Sequence, residues 1–136
     1  MRKIIVGNQE DRSSAVEQIF SGYRIINFSI VPNFLPNRVD SLEQLKTDSN
    51  DLVYIDNFDE VVNSLDFSLI NDMRAFIIER IKTEKPILLG ITTLTGKAIT
   101  TTLANYFSTT DIIACRELSS SETALLQSLN YEGIVN

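Results

Sequence analysis

The feature that most limits what this chain can fold into is an alternation. Short β-rich runs and amphipathic stretches follow one another five times within 136 residues. Residues 3–6, 23–31, 52–55, 87–89 and 112–115 are the β-rich runs, and 52–55 is apolar almost throughout, as a strand covered on both faces should be. The stretches between them carry helical spacing. After Gly7, Asp11 or Ser13 caps a helix with Ala15, Val16, Ile19 and Phe20 on one face, closed by Ser21-Gly22. Ser41 caps a short helix with Leu42 and Leu45 inward. Over 68–83, Leu69, Ile70, Met73, Phe76, Ile77 and Ile81 recur every three or four residues, and Pro86 follows. Gly96 opens a helix with Ile99, Leu103, Tyr106 and Phe107 on one side, and Ser119 to Ser121 cap a last one carrying Leu125, Leu126 and Leu129. Residues 32–37 hold two prolines and read as a loop, 56–66 as loop or a short helical turn, and 133–136 as the start of a sixth strand. The expected fold is α/β: a doubly wound, mostly parallel, Rossmann-like sheet of five to six strands with right-handed βαβ connections.

The length suits a single domain over 1–136. The net charge is −6, with no block of Lys and Arg, which argues against a nucleic-acid partner and against an anionic membrane surface. One cysteine and no histidine exclude an internal disulfide, a Cys/His metal site and a Cys-His catalytic pair within one chain. Cys115, in an apolar stretch, reads as a buried core thiol. No apolar run reaches bilayer length, and the apolar part of 1–7 is too short for a signal peptide, so the expected location is the cytoplasm. A lone Gly7 after the first strand is too little for a dinucleotide fingerprint.

In a doubly wound sheet, ligands bind where strand carboxyl ends meet helix amino ends. The most informative such loop is Gly90-Ile91-Thr92-Thr93-Leu94-Thr95-Gly96-Lys97, followed by Ala98-Ile99-Thr100-Thr101-Thr102-Leu103. It places Gly-Lys where a phosphate-binding loop has it, so that amides, helix dipole and lysine together face phosphate. Five residues separate Gly90 from Gly96, one more than in the general P-loop. This spacing resembles the Mur ligases, ATP-dependent enzymes that add amino acids to the peptidoglycan precursor through a loop G-I-T-G-T-N-G-K-[ST]-T-T. Arg116-Glu117-Leu118-Ser119-Ser120-Ser121-Glu122-Thr123 is similar to the E-L-S-S-F-Q-L segment of the muramoyl-alanine–D-glutamate ligases. Gly133-Ile134-Val135-Asn136 matches that family's next strand, which ends in Asn. The likeness is loose over the whole chain and closer over 68–136. Residues 1–85 resemble the family's N-terminal domain and 86–136 the start of its ATP-binding domain. It implies ATP and Mg2+ as cofactors, with Gly90, Thr92, Thr95, Gly96 and Lys97 holding nucleotide and Glu117 helping to hold the metal.

The departures point away from ligation. Thr93 stands for a loop glycine, and Leu94 and Thr95 for small and polar residues, which narrows the amide nest. Ala98 replaces the hydroxyl that would ligate magnesium. The family's G-N-I-G segment is missing, Gly7-Asn8-Gln9-Glu10-Asp11 lacks the glycine-rich turn for uridine diphosphate, and Asp56-Asn57-Phe58-Asp59 stands in place of a Ser-Pro-Gly turn. The expected function is a degenerate, Mur-ligase-like pseudoenzyme. It would bind a nucleotide, a UDP-sugar precursor, a protein partner or a second copy without ligase activity. Should the chain be a piece of a longer protein, it reads as a fragment of an active UDP-N-acetylmuramoyl-alanine D-glutamate ligase. A competing reading starts from Asp51-Leu52-Val53-Tyr54-Ile55-Asp56, which resembles the third strand of a response-regulator receiver, with Asp56 as phosphoacceptor. Against it, Gly7-Asn8-Gln9 stands where a receiver has its acidic pair, and Arg116-Glu117 where it has a lysine.

Overall fold

A computed structural model describes residues 1–33, 35–45, 51–96 and 106–135, with side chains up to residue 128. Six parallel strands form one sheet. They are β1 (Arg2–Val6), β2 (Ile25–Phe28), β3 (Arg38–Val39), β4 (Leu52–Ile55), β5 (Ile87–Ile91) and β6 (Ile112–Ala114), in the order β3-β2-β4-β5-β1-β6. The helices are α1 (Gln9–Ile19), α2 (Leu42–Leu45), α3 (Phe58–Asn63), α4 (Phe67–Lys82) and α5 (Ser120–Val135), with a 3-10 turn over Thr109–Asp111. The expected α/β, Rossmann-like sheet is present, and strands from both halves of the chain share it. No helix among the described residues is long and apolar enough to cross a membrane.

Chain direction decides which face each helix covers. From β1 the chain moves outward to β2 and then β3, and the layer it leaves on that side is α1 with Leu35. It then returns through β4 and β5 to β6, and α2, α3, α4 and α5 pack on the opposite face. A right-handed crossover requires this change of face when the direction of travel reverses. Strand alternation feeds both layers. Ile4, Val6, Val53, Ile55, Ile87, Leu89 and Ile91 enter the four-helix side, and Ile5, Leu52, Tyr54 and Leu88 the α1 side.

Several elements differ from the sequence expectation. The second strand is only Ile25–Phe28, and its ladder with β3 closes where Ser29 N donates to Val39 O at 3.2 Å. β3 is the sixth strand; two residues, one of them charged, show no period. The sixth strand expected at 133–136 is absent, since 133–135 continue α5, and Asn136 lies outside the described residues. The acidic stretch 56–66 contains a true helix, α3, with Phe58, Val61 and Val62 inward at helical spacing. The first helix is capped by Asn8, whose Oδ1 accepts from Asp11 N at 2.8 Å, rather than by Asp11 or Ser13. Ile19 points outward, at 55 % exposure. Cys115 is half-buried at the edge of the α1 layer rather than in the core, and burial together with nearby Asp11 raises its thiol pKa. The helix expected after Gly96, with Ala98, Ile99 and Leu103, falls largely outside the described residues.

Candidate functional site at the carboxyl end of the sheet

β1 and β5 are neighbours whose following segments turn to opposite faces, the arrangement that opens a crevice in sheets of this class. In this chain the crevice is filled from inside. Arg12 lies one turn before Val16 on the inward stripe of α1 and is 0 % exposed. Its guanidinium reaches residues that follow three adjacent strands. Nη1 donates to Gly7 O at 2.6 Å and to Thr92 Oγ1 at 3.0 Å. Nε donates to Asp56 Oδ1 at 3.0 Å and Nη2 to Asn57 Oδ1 at 2.7 Å. Asp56 is 1 % exposed and is the centre of the group. Its Oδ1 also accepts from Tyr54 Oη at 2.6 Å, and its Oδ2 from Asn33 Nδ2 at 3.0 Å. Asn33 Nδ2 in turn reaches Asn27 Oδ1 at 2.8 Å.

The electrostatics follow from that geometry. Burial alone would lower the Arg12 pKa, but Asp56 and Tyr54 together outweigh it and the guanidinium is held more firmly charged than usual. Burial, and then the negative charge of Asp56, raise the Tyr54 phenol well above its ordinary range, so it remains a donor. A charge pair this deep is tolerated because nearly every donor and lone pair is met. Asn57 supports it with left-handed backbone, φ 49° and ψ 45°, a conformation Asn adopts more readily than most residues.

Gly90 acts here through its size. It sits within β5, not in the loop, and a Cβ there would lie 2.2 Å from Tyr54 Oη and 2.8 Å from Asp56 Oδ1. Only glycine lets the Tyr54 hydroxyl reach its carboxylate. Gly90, expected to shape the phosphate loop, thus lies in β5 and packs against the Tyr54 hydroxyl.

A second polar group closes the loop after β5. Glu122, 2 % exposed, makes a two-point ion pair with Arg116, Nη1 to Oε1 at 2.7 Å and Nη2 to Oε2 at 3.0 Å. Oε2 accepts from Leu94 N at 2.9 Å and Oε1 from Ser119 N at 3.0 Å, while Ser119 Oγ accepts from Glu122 N at 3.2 Å. The last two bonds are a capping box at the start of α5. Arg116, then the amides of Ser119 and Leu94, lower the Glu122 pKa to about 2 against the opposing effect of burial. Thr92 joins the two groups: its hydroxyl takes Arg12, and its carbonyl takes Arg116 Nη2 at 2.9 Å. The amide of Leu94, which in a phosphate loop would face the anion, is thus given to an internal carboxylate.

No protein-family model matches the chain, and no curated protein does.

Of the residues expected to hold nucleotide, Thr92 joins the buried cluster through its hydroxyl, and Thr95 and Gly96 are half-buried in the loop. Lys97 lies outside the described residues. Glu117 is exposed, and its carbonyl accepts from Arg116 Nη1 at 3.1 Å. Asp56 is too enclosed to act as an open phosphoacceptor: one oxygen takes two donors and the other a third. Asp56 is matched by Arg12 and Glu122 by Arg116, and no three Asp, Glu or Cys side chains among the described residues gather as a ligand set. Sequence reasoning missed Arg12, Tyr54, Asn33 and Glu122. Two signals were available: a charged residue on the apolar stripe Arg12, Val16, Phe20, and the Ser119-x-x-Glu122 capping pattern.

Proposed function

We propose that this chain is a non-catalytic, Mur-ligase-like α/β module that acts by binding a protein partner instead of ligating amino acids. The observation that carries this reading is the Arg12–Asp56 pair, 0 % and 1 % exposed, lodged among the carboxyl ends of β1, β4 and β5. In folds of this class that position belongs to the ligand. Here a salt bridge and its hydrogen bonds occupy it, and Glu122 takes the loop amide beside it. Both buried acids beside the crevice, Asp56 and Glu122, are neutralised by arginines. The likeness of the 90–97 loop and of 116–123 to Mur ligases supports a common scaffold, and the closed crevice supports a loss of turnover.

Surface features agree with a binding role. Leu65 and Phe67, between α3 and the first turn of α4, are 89 % and 70 % exposed, and Ile30 and Val31 after β2 are 44 % and 37 % exposed. Exposed large apolar side chains are common on surfaces that meet another protein. The receiver reading is not favoured, because Asp56 is enclosed.

The reading is tested by assaying the purified chain for amino-acid-dependent release of phosphate from Mg-ATP, with an active Mur ligase as positive control. The expected result is no release above background. Turnover that disappears in Lys97→Ala would overturn the proposal.

A further inference from the structure

The opposite end of the sheet carries a different arrangement. At the amino ends of β1 and β5, a cleft of about 650 Å3 lies between the end of α4 and the 3-10 turn. That volume is within the range of roughly 300–1,000 Å3 typical of small-molecule sites. Three of its walls are basic: Arg2 and Lys3 from the start of β1, and Lys85 from the turn before β5. In a chain of net charge −6 such a gathering runs against composition. Arg2 forms no ion pair among the described residues. Lys3 Nζ rests against Thr110 O at 3.4 Å, a long contact that leaves the ammonium available to an anion.

The acids of the cleft are placed differently. Asp111 Oδ2 accepts from Ser108 N at 2.8 Å, which ties it to its own turn. Glu84 follows α4 with φ 58°, and is the other carboxylate of the lining. The last carbonyls of α4 are covered: Thr83 N donates to Glu79 O, Glu84 N to Ile81 O and Lys85 N to Arg80 O, at 3.0, 3.1 and 2.9 Å. The negative end of the helix is therefore closed over by its own turn. Ile81 gives the cleft an apolar wall.

We infer that this cleft binds a small phosphate monoester, with the phosphate between Arg2 and Lys3 and the organic part against Ile81. A forked guanidinium beside an ammonium group suits a dianionic tetrahedral group. Glu84 opposes the ligand by like charge and sets a limit on affinity.

The test is a calorimetric titration of the full chain with ribose 5-phosphate, with ribose as control, repeated on Arg2→Gln, Lys3→Gln, Glu84→Gly and Lys97→Ala. Thermal melts establish that each variant is folded. The wild type is expected to bind the phosphate ester and not ribose. Loss of one charge-assisted contact weakens binding about tenfold in Arg2→Gln and Lys3→Gln. Removal of the opposing carboxylate tightens it about threefold in Glu84→Gly. Lys97→Ala, at the other end of the sheet, leaves it unchanged. Absence of binding in the wild type would overturn the inference, as would affinity unmoved by Arg2→Gln and Lys3→Gln, or affinity lost in Lys97→Ala.

Discussion

Arg12 shows how one residue redirects a fold's usual use. Its guanidinium crosses from α1 to segments after β1, β4 and β5, and so ties together the three strands that border the crevice. Arg12→Met leaves Asp56 buried without its counter-charge and is expected to cost about 3–5 kcal/mol in urea denaturation. The double variant Arg12→Met/Asp56→Leu removes both charges and should recover much of that loss. Equal loss in single and double variants would mean that packing, not charge, sets the cost. Gly90→Ala drives a methyl group into Tyr54 Oη and is expected to cost about 3 kcal/mol by the same measurement. Asp56 stands out in the sequence because it ends an apolar strand. Its partner is 44 residues away, and no periodicity in the chain links the two.

The helix ends carry effects that belong to whole elements. Glu84 occupies the left-handed position after α4 that glycine usually takes. Glu84→Gly is expected to raise stability by about 0.5–1 kcal/mol, provided relief of the strained backbone exceeds the added chain entropy. At the start of α5, the capping box and Arg116 hold Glu122 ionised, with its pKa lowered from 4.5 to about 2. A lowered folded-state pKa contributes stability that is complete above 4.5 and is lost as pH falls towards 2. The stability gap between wild type and Glu122→Gln should therefore narrow over that window in acid titrations followed by circular dichroism. A gap independent of pH would show that the charge is not what holds the loop. Long or strongly apolar elements were legible: α4 from its spacing, β4 and β5 from their runs. β3 was not, because two residues on a sheet edge leave no pattern, and α3 was obscured by its acidic surroundings.

Across the whole molecule, the two faces divide by direction of travel, α1 on one and α2 to α5 on the other, and the crevice lies where they part. The doubly wound sheet could be read from alternation alone. The state of its ligand end could not, because an open crevice and one filled by Arg12 and Glu122 share the same strand and helix pattern. Resemblance of the 90–97 loop to a phosphate loop rests on glycine spacing, whereas the fate of its amides depends on a carboxylate that arrives from α5. The most direct measurement is a calorimetric titration of the full chain with Mg-ATP, carried out in parallel on Lys97→Ala and on Arg2→Gln. A filled carboxyl-end crevice predicts that Lys97→Ala behaves as the wild type, with any weak heat removed by Arg2→Gln. Micromolar binding lost in Lys97→Ala and kept in Arg2→Gln would contradict it, and would show that the loop still cradles phosphate.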